Sequence, residues 1–220
     1  MKFITINVAT TAISLFFIIL LIGIYLTKQN AKNFDNKIFK HILFWNFLSL
    51  FLHLIYQLLA FDHLKYSSLI EKLILIYFCC VIYYVVLLTI YIFISTNENN
   101  KKFLNFININ EHKVNIIIYT SYVIFFLLAL VMPSRVVFTE EAIYYYGLGG
   151  YFYYITLGIG IIISFASIIK NKGNFDKKKI YPLYVILALA VVYTIVGFIY
   201  PGFCLLTTLF AGYSFLMFHT

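Results

Sequence analysis

Charged side chains, and acidic ones above all, are scarce in this sequence. Of 220 residues only eight are Asp or Glu, and all charged residues together make up 11%. A soluble domain carries about 25% charged residues, so a composition that is also 63% hydrophobic excludes a water-soluble fold. The sequence therefore predicts an integral membrane protein.

Cysteine is also rare. The three cysteines, Cys79, Cys80 and Cys204, all lie in apolar stretches, where thiols behave as small hydrophobic groups. An odd number of such thiols predicts no disulfide framework. Cys79 and Cys80 are adjacent, so their side chains point to different faces of a helix. A metal site also needs more ligands than these two residues supply. We expect neither a metal site nor a cofactor.

Long hydrophobic runs fill the chain instead. A helix of about 20 apolar residues crosses a hydrocarbon layer. The chain divides into seven apolar runs of 17 to 25 residues, at positions 3–27, 41–60, 73–95, 114–132, 149–169, 180–200 and 203–219. The connectors are too short for a soluble catalytic domain. We therefore expect one all-α domain over residues 1–220, a polytopic bundle of about seven transmembrane helices.

The last two runs predict a helical hairpin. Residues 180–220 contain no charged side chain, and the apolar residues are interrupted only by Tyr200, Pro201 and Gly202. Proline stops a helix and glycine permits the chain to reverse.

The first run is far longer than the core of a signal peptide, so we expect it to be a retained helix.

Positive charges are distributed unequally between alternate connectors. Twelve Lys or Arg residues follow the first, third and fifth runs, and the remaining four are Lys2, Lys65, Lys72 and Arg135. Positive charge favours the cytoplasmic side of a membrane. The pattern predicts a multi-pass protein of the plasma membrane with an external amino terminus and a cytoplasmic carboxyl terminus. It also explains the net charge of +8 without a nucleic-acid partner.

The runs themselves contain no Asp, Glu, Lys or Arg. Such residues mark proton relays, ion paths and voltage sensors, so their absence argues against a pump, an ion-coupled transporter or a retinal pigment. In the second run, polar residues spaced by three, four and four share one helical face: Asn46, Ser49, His53 and Gln57. They predict either hydrogen bonds between helices or a pocket that senses a ligand or a proton, with His53 as the titrating group.

Small residues recur every four positions in two other runs. They are Thr156, Gly160 and Ser164 in the fifth run, and Cys204, Thr208 and Gly212 in the seventh. Such lines let helix backbones approach closely. They predict tight internal packing or the seam of a homodimer.

The connector at 134–148 is the candidate external site. It holds the acidic pair Glu140 and Glu141 and a tyrosine-rich stretch that begins at Tyr144 and Tyr145. Tyrosines are common at membrane interfaces; the alternative is an opening for a small ligand. Paired glutamates also occur in intramembrane CAAX-type proteases, but Tyr145 stands where that motif has arginine. No intramembrane His pair completes such a site, so we expect no enzyme activity.

Four local patterns occur together in the second half of the chain. They are the Tyr-x-Tyr-Gly stretch ending at Gly147, the lysines before the sixth run, the Tyr200-Pro201-Gly202 turn and the final Phe215-Leu216-Met217-Phe218. This combination resembles the amino-terminal multi-helix sensing region of sensor histidine kinases from low-GC Gram-positive bacteria, and seven-helix input regions of other bacterial signalling proteins. The resemblance implies that the last helix continues into a dimerisation and phosphoacceptor segment and then an ATP-binding kinase domain. His219 lacks the acidic residue that follows a phosphoacceptor histidine, so that role is not assigned to it.

The sequence therefore favours an input module of bacterial signal transduction, in which a stimulus changes helix packing and the last helix relays the change to a cytoplasmic effector. The expected partners are the lipid bilayer, a kinase or other effector, and an unidentified small ligand. A small transporter or permease is the main alternative, because such proteins also combine several helices with Pro and Gly breaks. A non-catalytic accessory subunit of a larger membrane complex is the third.

Overall fold

The computed structural model describes residues 2–27, 34–96, 134–139 and 143–170, with isolated positions inside 120–131, 184–196 and 212–214. Most of this part is α-helical. The helices are α1 (Lys2–Thr27), α2 (Phe34–Leu59), α3 (His63–Thr96) and α4 (Leu148–Lys170), and a 3-10 turn (Ala60–Asp62) joins α2 to α3. The isolated positions are helical as well.

Three segments are long and apolar enough to cross a membrane: Ile4–Thr27, Ile38–Ile92 and Gly150–Lys170. To that extent the prediction of a helical membrane protein is confirmed. The predicted runs at 114–132, 180–200 and 203–219 lie largely outside the described residues. The count of seven helices therefore stays a prediction from the sequence.

The 55-residue segment Ile38–Ile92 folds back on itself as a helical hairpin. The rings of Trp45 and Tyr83 are 4.7 Å apart, and those of His53 and Tyr77 are 5.2 Å apart. From the first contact to the second, the residue number increases in α2 and decreases in α3. The two helices are therefore antiparallel.

Helix α1 packs against α2 in the same antiparallel sense, since Tyr25 contacts Phe39 and Thr11 contacts His53. The residues of α1 that are buried follow an alternating spacing of three and four, which is one narrow stripe along a helix. They are Ile4, Asn7, Thr11, Ser14, Ile18, Leu21 and Tyr25. Elsewhere α1 exposes large apolar side chains such as Phe16, as a surface facing lipid requires.

The connector predicted between the second and third runs is largely helical. Helix α3 begins at His63 and not at Leu73, so Lys65, Glu71 and Lys72 are exposed residues on its first turns. Charge predicts a connector here because it is costly in lipid. However, Lys and Glu are good helix formers, and no Gly or Pro interrupts residues 61–72.

Helix α4 packs against α3 in a parallel sense. The rings of Phe78 and Tyr153 are 4.5 Å apart, and Gly160 of α4 lies against Val85 of α3. Contact positions rise along both helices. A parallel pair requires that the intervening chain return to the end at which α3 begins.

The connector at 134–148, for which the sequence predicts a loop, holds a β-hairpin. β1 (Ser134–Phe138) pairs antiparallel with β2 (Ile143–Gly147). Branched and aromatic residues fill most positions of both strands, and they favour extended structure. Gly147 ends β2 with a φ of 113°, a conformation that glycine adopts readily. Helix α4 begins at the next residue.

The helix directions bring several chain ends together. Since α1 and α3 run opposite to α2 and α4 runs parallel to α3, the carboxyl ends of α1, α3 and α4 lie near the amino end of α2. The α2–α3 turn and the hairpin lie at the opposite end, where His63 stacks on Phe138 at 5.3 Å.

Candidate functional site

The predicted polar line of α2 is buried along its whole length. Asn46, Ser49 and His53 are 0% exposed, and Gln57 is 3% exposed. Their spacing puts all four on the face of α2 that meets its neighbours. Four polar side chains sealed inside an apolar bundle need partners, because an unsatisfied buried polar group is costly.

Helix α1 supplies a second polar line that the sequence analysis missed. Asn7, Thr11 and Ser14 are buried on the stripe that faces α2. The signal was available, since these three residues are spaced by four and three within an apolar run. Thr5 and Thr10 blur this periodicity in the sequence. We call these residues, with the four of α2 and Ser214, the polar cluster.

His53 is held between α1 and a neighbouring turn of its own helix. Its Nδ1 lies 3.2 Å from Oγ1 of Thr11, and its Nε2 lies 3.2 Å from Nε2 of Gln57. An amide nitrogen only donates, so with the Gln57 amide in this orientation the imidazole Nε2 accepts. A neutral imidazole then carries its proton on Nδ1 and donates it to the Thr11 hydroxyl.

Two tyrosine rings cover the imidazole. Tyr77 of α3 stacks on His53 with centroids 5.2 Å apart and planes inclined by 23°. The ring centroid of Tyr56 lies 5.0 Å from that of His53 and 5.6 Å from that of Tyr77. His53 thus contacts both neighbouring helices, α1 through Thr11 and α3 through Tyr77.

The other end of the cluster reaches the carboxyl-terminal segment. Nδ2 of Asn46 donates a 2.8 Å hydrogen bond to Oγ of Ser214, which is fully buried. The hydroxyl of Ser49 donates to the backbone oxygen of Asn46 at 2.9 Å. A lone serine in the seventh run carries no periodic signal, so the sequence alone did not single out Ser214.

The external candidates are only partly described. Glu140 and Glu141 lie outside the described residues. Tyr144 sits in β2 opposite Val137. The Tyr145 ring packs on Phe78 of α3 with centroids 4.6 Å apart. Tyr145 therefore belongs to the contact between the hairpin and the bundle.

The predicted packing residues of α4 occupy different positions. Thr156 donates to the backbone oxygen of Phe152 at 2.8 Å, Gly160 lies against α3 and Ser164 is buried. In the seventh run, Cys204 and Thr208 lie outside the described residues, and Gly212 is exposed. Among the described members of these lines, Gly160 thus makes a close contact with α3, against the side chains of Val85 and Thr89.

Metal binding finds no support in the part of the chain that the structure describes. No group of three or more His, Cys, Asp or Glu residues comes together there. Cys79 and Cys80 are buried free thiols of α3. The chemistry that the cluster offers is neutral hydrogen bonding between helices.

Comparison with known proteins assigns no family. A scan of the chain against protein-family models finds no match, and neither a curated protein nor a solved structure matches it.

Proposed function

We propose that the chain is the membrane-embedded input module of a bacterial signalling protein. The observation that carries this proposal is the 2.8 Å hydrogen bond between Asn46 and Ser214, which spans 168 positions of the chain. It joins the buried face of α2 to the last predicted helix. A change of packing inside the cluster therefore has a direct contact through which to reach the carboxyl-terminal segment.

The proposed topology has seven crossings, with the amino terminus outside and the carboxyl terminus in the cytoplasm. The helix ends that lie together, at Thr27, Phe34, Thr96 and Lys170, are those joined to the three lysine-rich connectors. Their common location agrees with the charge rule, which assigns a lysine-rich side to the cytoplasm. In this topology the hairpin is external, and residue 220 enters the cytoplasm.

The proposed input is the hairpin end of the bundle. A series of ring contacts leads from the hairpin to His53. The ring centroids of Tyr145 and Phe78 are 4.6 Å apart, and those of Phe78 and Tyr77 are 5.3 Å apart. Tyr77 in turn stacks on His53. Packed side chains couple two sites only where they have two discrete arrangements. A stimulus shifts such an equilibrium only by the difference in its affinity for the two.

The proposed output is a cytoplasmic effector of the histidine-kinase type. The resemblance of the last helix and its Tyr-Pro-Gly turn to kinase sensing regions supports this choice. The predicted spans contain no Asp, Glu, Lys or Arg, and such residues mark the relays of pumps and transporters, so signalling is favoured over ion-coupled transport. In this proposal the chain itself performs no phosphotransfer.

The test joins the full chain, after Thr220, to the dimerisation and kinase segments of a sensor kinase and measures autophosphorylation in membrane vesicles. Asn46→Leu and Ser214→Ala each remove the hydrogen bond. An interhelical hydrogen bond in a membrane is worth about 0.6 kcal/mol, which is roughly a threefold shift of an equilibrium. We expect a change of that size in the phosphorylation rate at unchanged protein abundance.

The matched control is Phe44→Leu, which alters a 54% exposed residue of the same helix and should leave the rate unchanged. Rates equal to that of the parent chain in both cluster variants would contradict the proposed relay. A reporter enzyme joined after Thr220 that proves accessible from outside the cell would contradict the topology.

A further inference from the structure

Only one of the two polar atoms of the Gln57 side-chain amide has a hydrogen-bond partner among the described residues. Its nitrogen lies 3.2 Å from Nε2 of His53, whereas its oxygen, Oε1, is buried and has no hydrogen-bond partner among the described residues. Gln57 is 3% exposed, so bulk solvent does not satisfy this oxygen. Leaving a buried carbonyl oxygen without a donor is unfavourable, because its desolvation is then not offset by a hydrogen bond.

Turning the amide over does not remove this cost. In the turned orientation Oε1 accepts from Nε2–H of His53, and the amide nitrogen, which carries two N–H donors, takes the vacated position. One polar atom of Gln57 stays without a partner either way. The orientation in the structure leaves Oε1 and one N–H of the amide without a partner among the described residues, whereas the turned orientation leaves both N–H groups without one.

The chemistry of the surroundings decides what satisfies Oε1. The Gln57 amide contacts the imidazole of His53, which in turn contacts the hydroxyl of Thr11. A hard cation such as Na⁺ or Ca²⁺ needs several oxygen ligands and favours carboxylates, and no such set is present in the described cluster. An anion needs hydrogen-bond donors, and an amide oxygen is only an acceptor. A neutral hydrogen-bond donor remains.

We propose that Oε1 of Gln57 is the binding site of a buried neutral donor, either a water molecule or the hydroxyl of a small uncharged molecule. The donor fixes the amide with its nitrogen toward His53. The imidazole then accepts at Nε2 and donates from Nδ1 to Thr11. Occupancy of the site thus selects one histidine tautomer and the direction of the hydrogen bond to α1.

The proposed binding does not depend on the proposed signalling function. For this reason the test reads the amide itself and not a kinase. The chain contains two glutamines, Gln29 and Gln57. Gln29→Asn leaves Gln57 as the only glutamine side chain that an isotope label introduced as glutamine reports.

The first measurement is magnetisation transfer from water to the ¹⁵N-labelled Gln57 amide in the full chain, reconstituted in lipid nanodiscs. Transfer to this buried amide supports the site with water as its occupant. The second measurement titrates methanol, a minimal hydroxyl donor, into the same sample. A saturable shift of the amide signal with methanol, and none with dimethyl ether, supports a site that takes a hydroxyl.

The His53 ring provides an independent readout on the same chain. Its ¹⁵N shifts should show a protonated Nδ1 and an accepting Nε2. Gln57→Met, which removes the amide at similar length, should abolish this preference, whereas Leu58→Met on the exposed side of α2 should preserve it. Absence of both water transfer and a methanol-specific shift in the Gln29→Asn chain would overturn the proposal, whatever any kinase fusion shows.

Discussion

The imidazole of His53 stacks on the phenol ring of Tyr77, with centroids 5.2 Å apart and planes inclined by 23°. The pair joins α2 to α3 at the level where Thr11 joins α1 to α2. One histidine therefore fixes the relative positions of three helices. Substitutions of Tyr77 and of Thr11 test its ring contact and its hydrogen bond separately.

Replacement of Tyr77 tests the ring contact. Tyr77→Leu removes the stacked ring, whereas Tyr77→Phe keeps it. An aromatic pair contributes about 0.5–1.5 kcal/mol beyond the area that it buries. We expect the free energy of unfolding in detergent to fall by that much more in Tyr77→Leu than in Tyr77→Phe. Equal losses in the two variants would show that the ring contributes nothing specific.

Thr11→Val tests the hydrogen bond between α1 and α2. Valine has nearly the shape of threonine but cannot bond to Nδ1 of His53, so we expect a loss of about 0.6 kcal/mol, the average for interhelical hydrogen bonds in membranes. Thr10→Val is the matched control, because the Thr10 hydroxyl bonds to the backbone oxygen of Ile6 in its own helix at 2.9 Å. Thermal unfolding of the two variants side by side measures the difference. If Thr10→Val proved as destabilising as Thr11→Val, the bond to His53 would have no measurable value.

The apolar runs and the buried face of α2 were predictable because each depends on local information. Run length decides whether a helix can span a bilayer, and the spacing from Asn46 to Gln57 decides which face they share. The partners were not predictable in this way. That Thr11 lies opposite His53 depends on the register between two helices, which side chains distant in sequence determine.

The β-hairpin shows the same limit. A two-stranded hairpin is at best marginally stable alone, so the sequence of residues 134–147 does not decide its structure. Packing of Tyr145 on Phe78 and of Phe138 on His63 supplies the support, and both contacts come from α3. The early start of α3 at His63, which the sequence did not predict, creates one of these surfaces.

Gly147→Ala tests the junction between the hairpin and α4. The φ of 113° at Gly147 is a conformation that residues with a Cβ adopt only at a cost of about 1–3 kcal/mol. We expect hydrogen exchange of the β1 and β2 amides to accelerate while exchange in α1 stays unchanged. Gly23→Ala is the control, because a Cβ there meets nothing within 4 Å. Unaltered exchange in the strands would show that the junction tolerates a side chain.

Gly160→Ala tests the close contact between α3 and α4. A Cβ at Gly160 would lie 2.7 Å from Cγ1 of Val85 and 3.3 Å from Oγ1 of Thr89. Overpacking of this kind costs about 1–3 kcal/mol, against a gain of roughly 1 kcal/mol in helix propensity when alanine replaces glycine. Gly158 is two residues away in α4, and a Cβ there meets nothing within 4 Å. Gly158→Ala should therefore show the gain without the cost.

The difference in unfolding free energy between Gly160→Ala and Gly158→Ala isolates the packing term. We expect Gly160→Ala to be the less stable of the two by about 1–3 kcal/mol. Combining Gly160→Ala with Val85→Ala removes the methyl group that the new Cβ meets, so the pair should be more stable than the sum of the single effects implies. Additive effects in this double-mutant cycle would mean that the two residues are not in contact, since independent sites add. The parallel packing of α4 on α3 would then lose the support of the Gly160 contact and would rest on others, such as Phe78 against Tyr153.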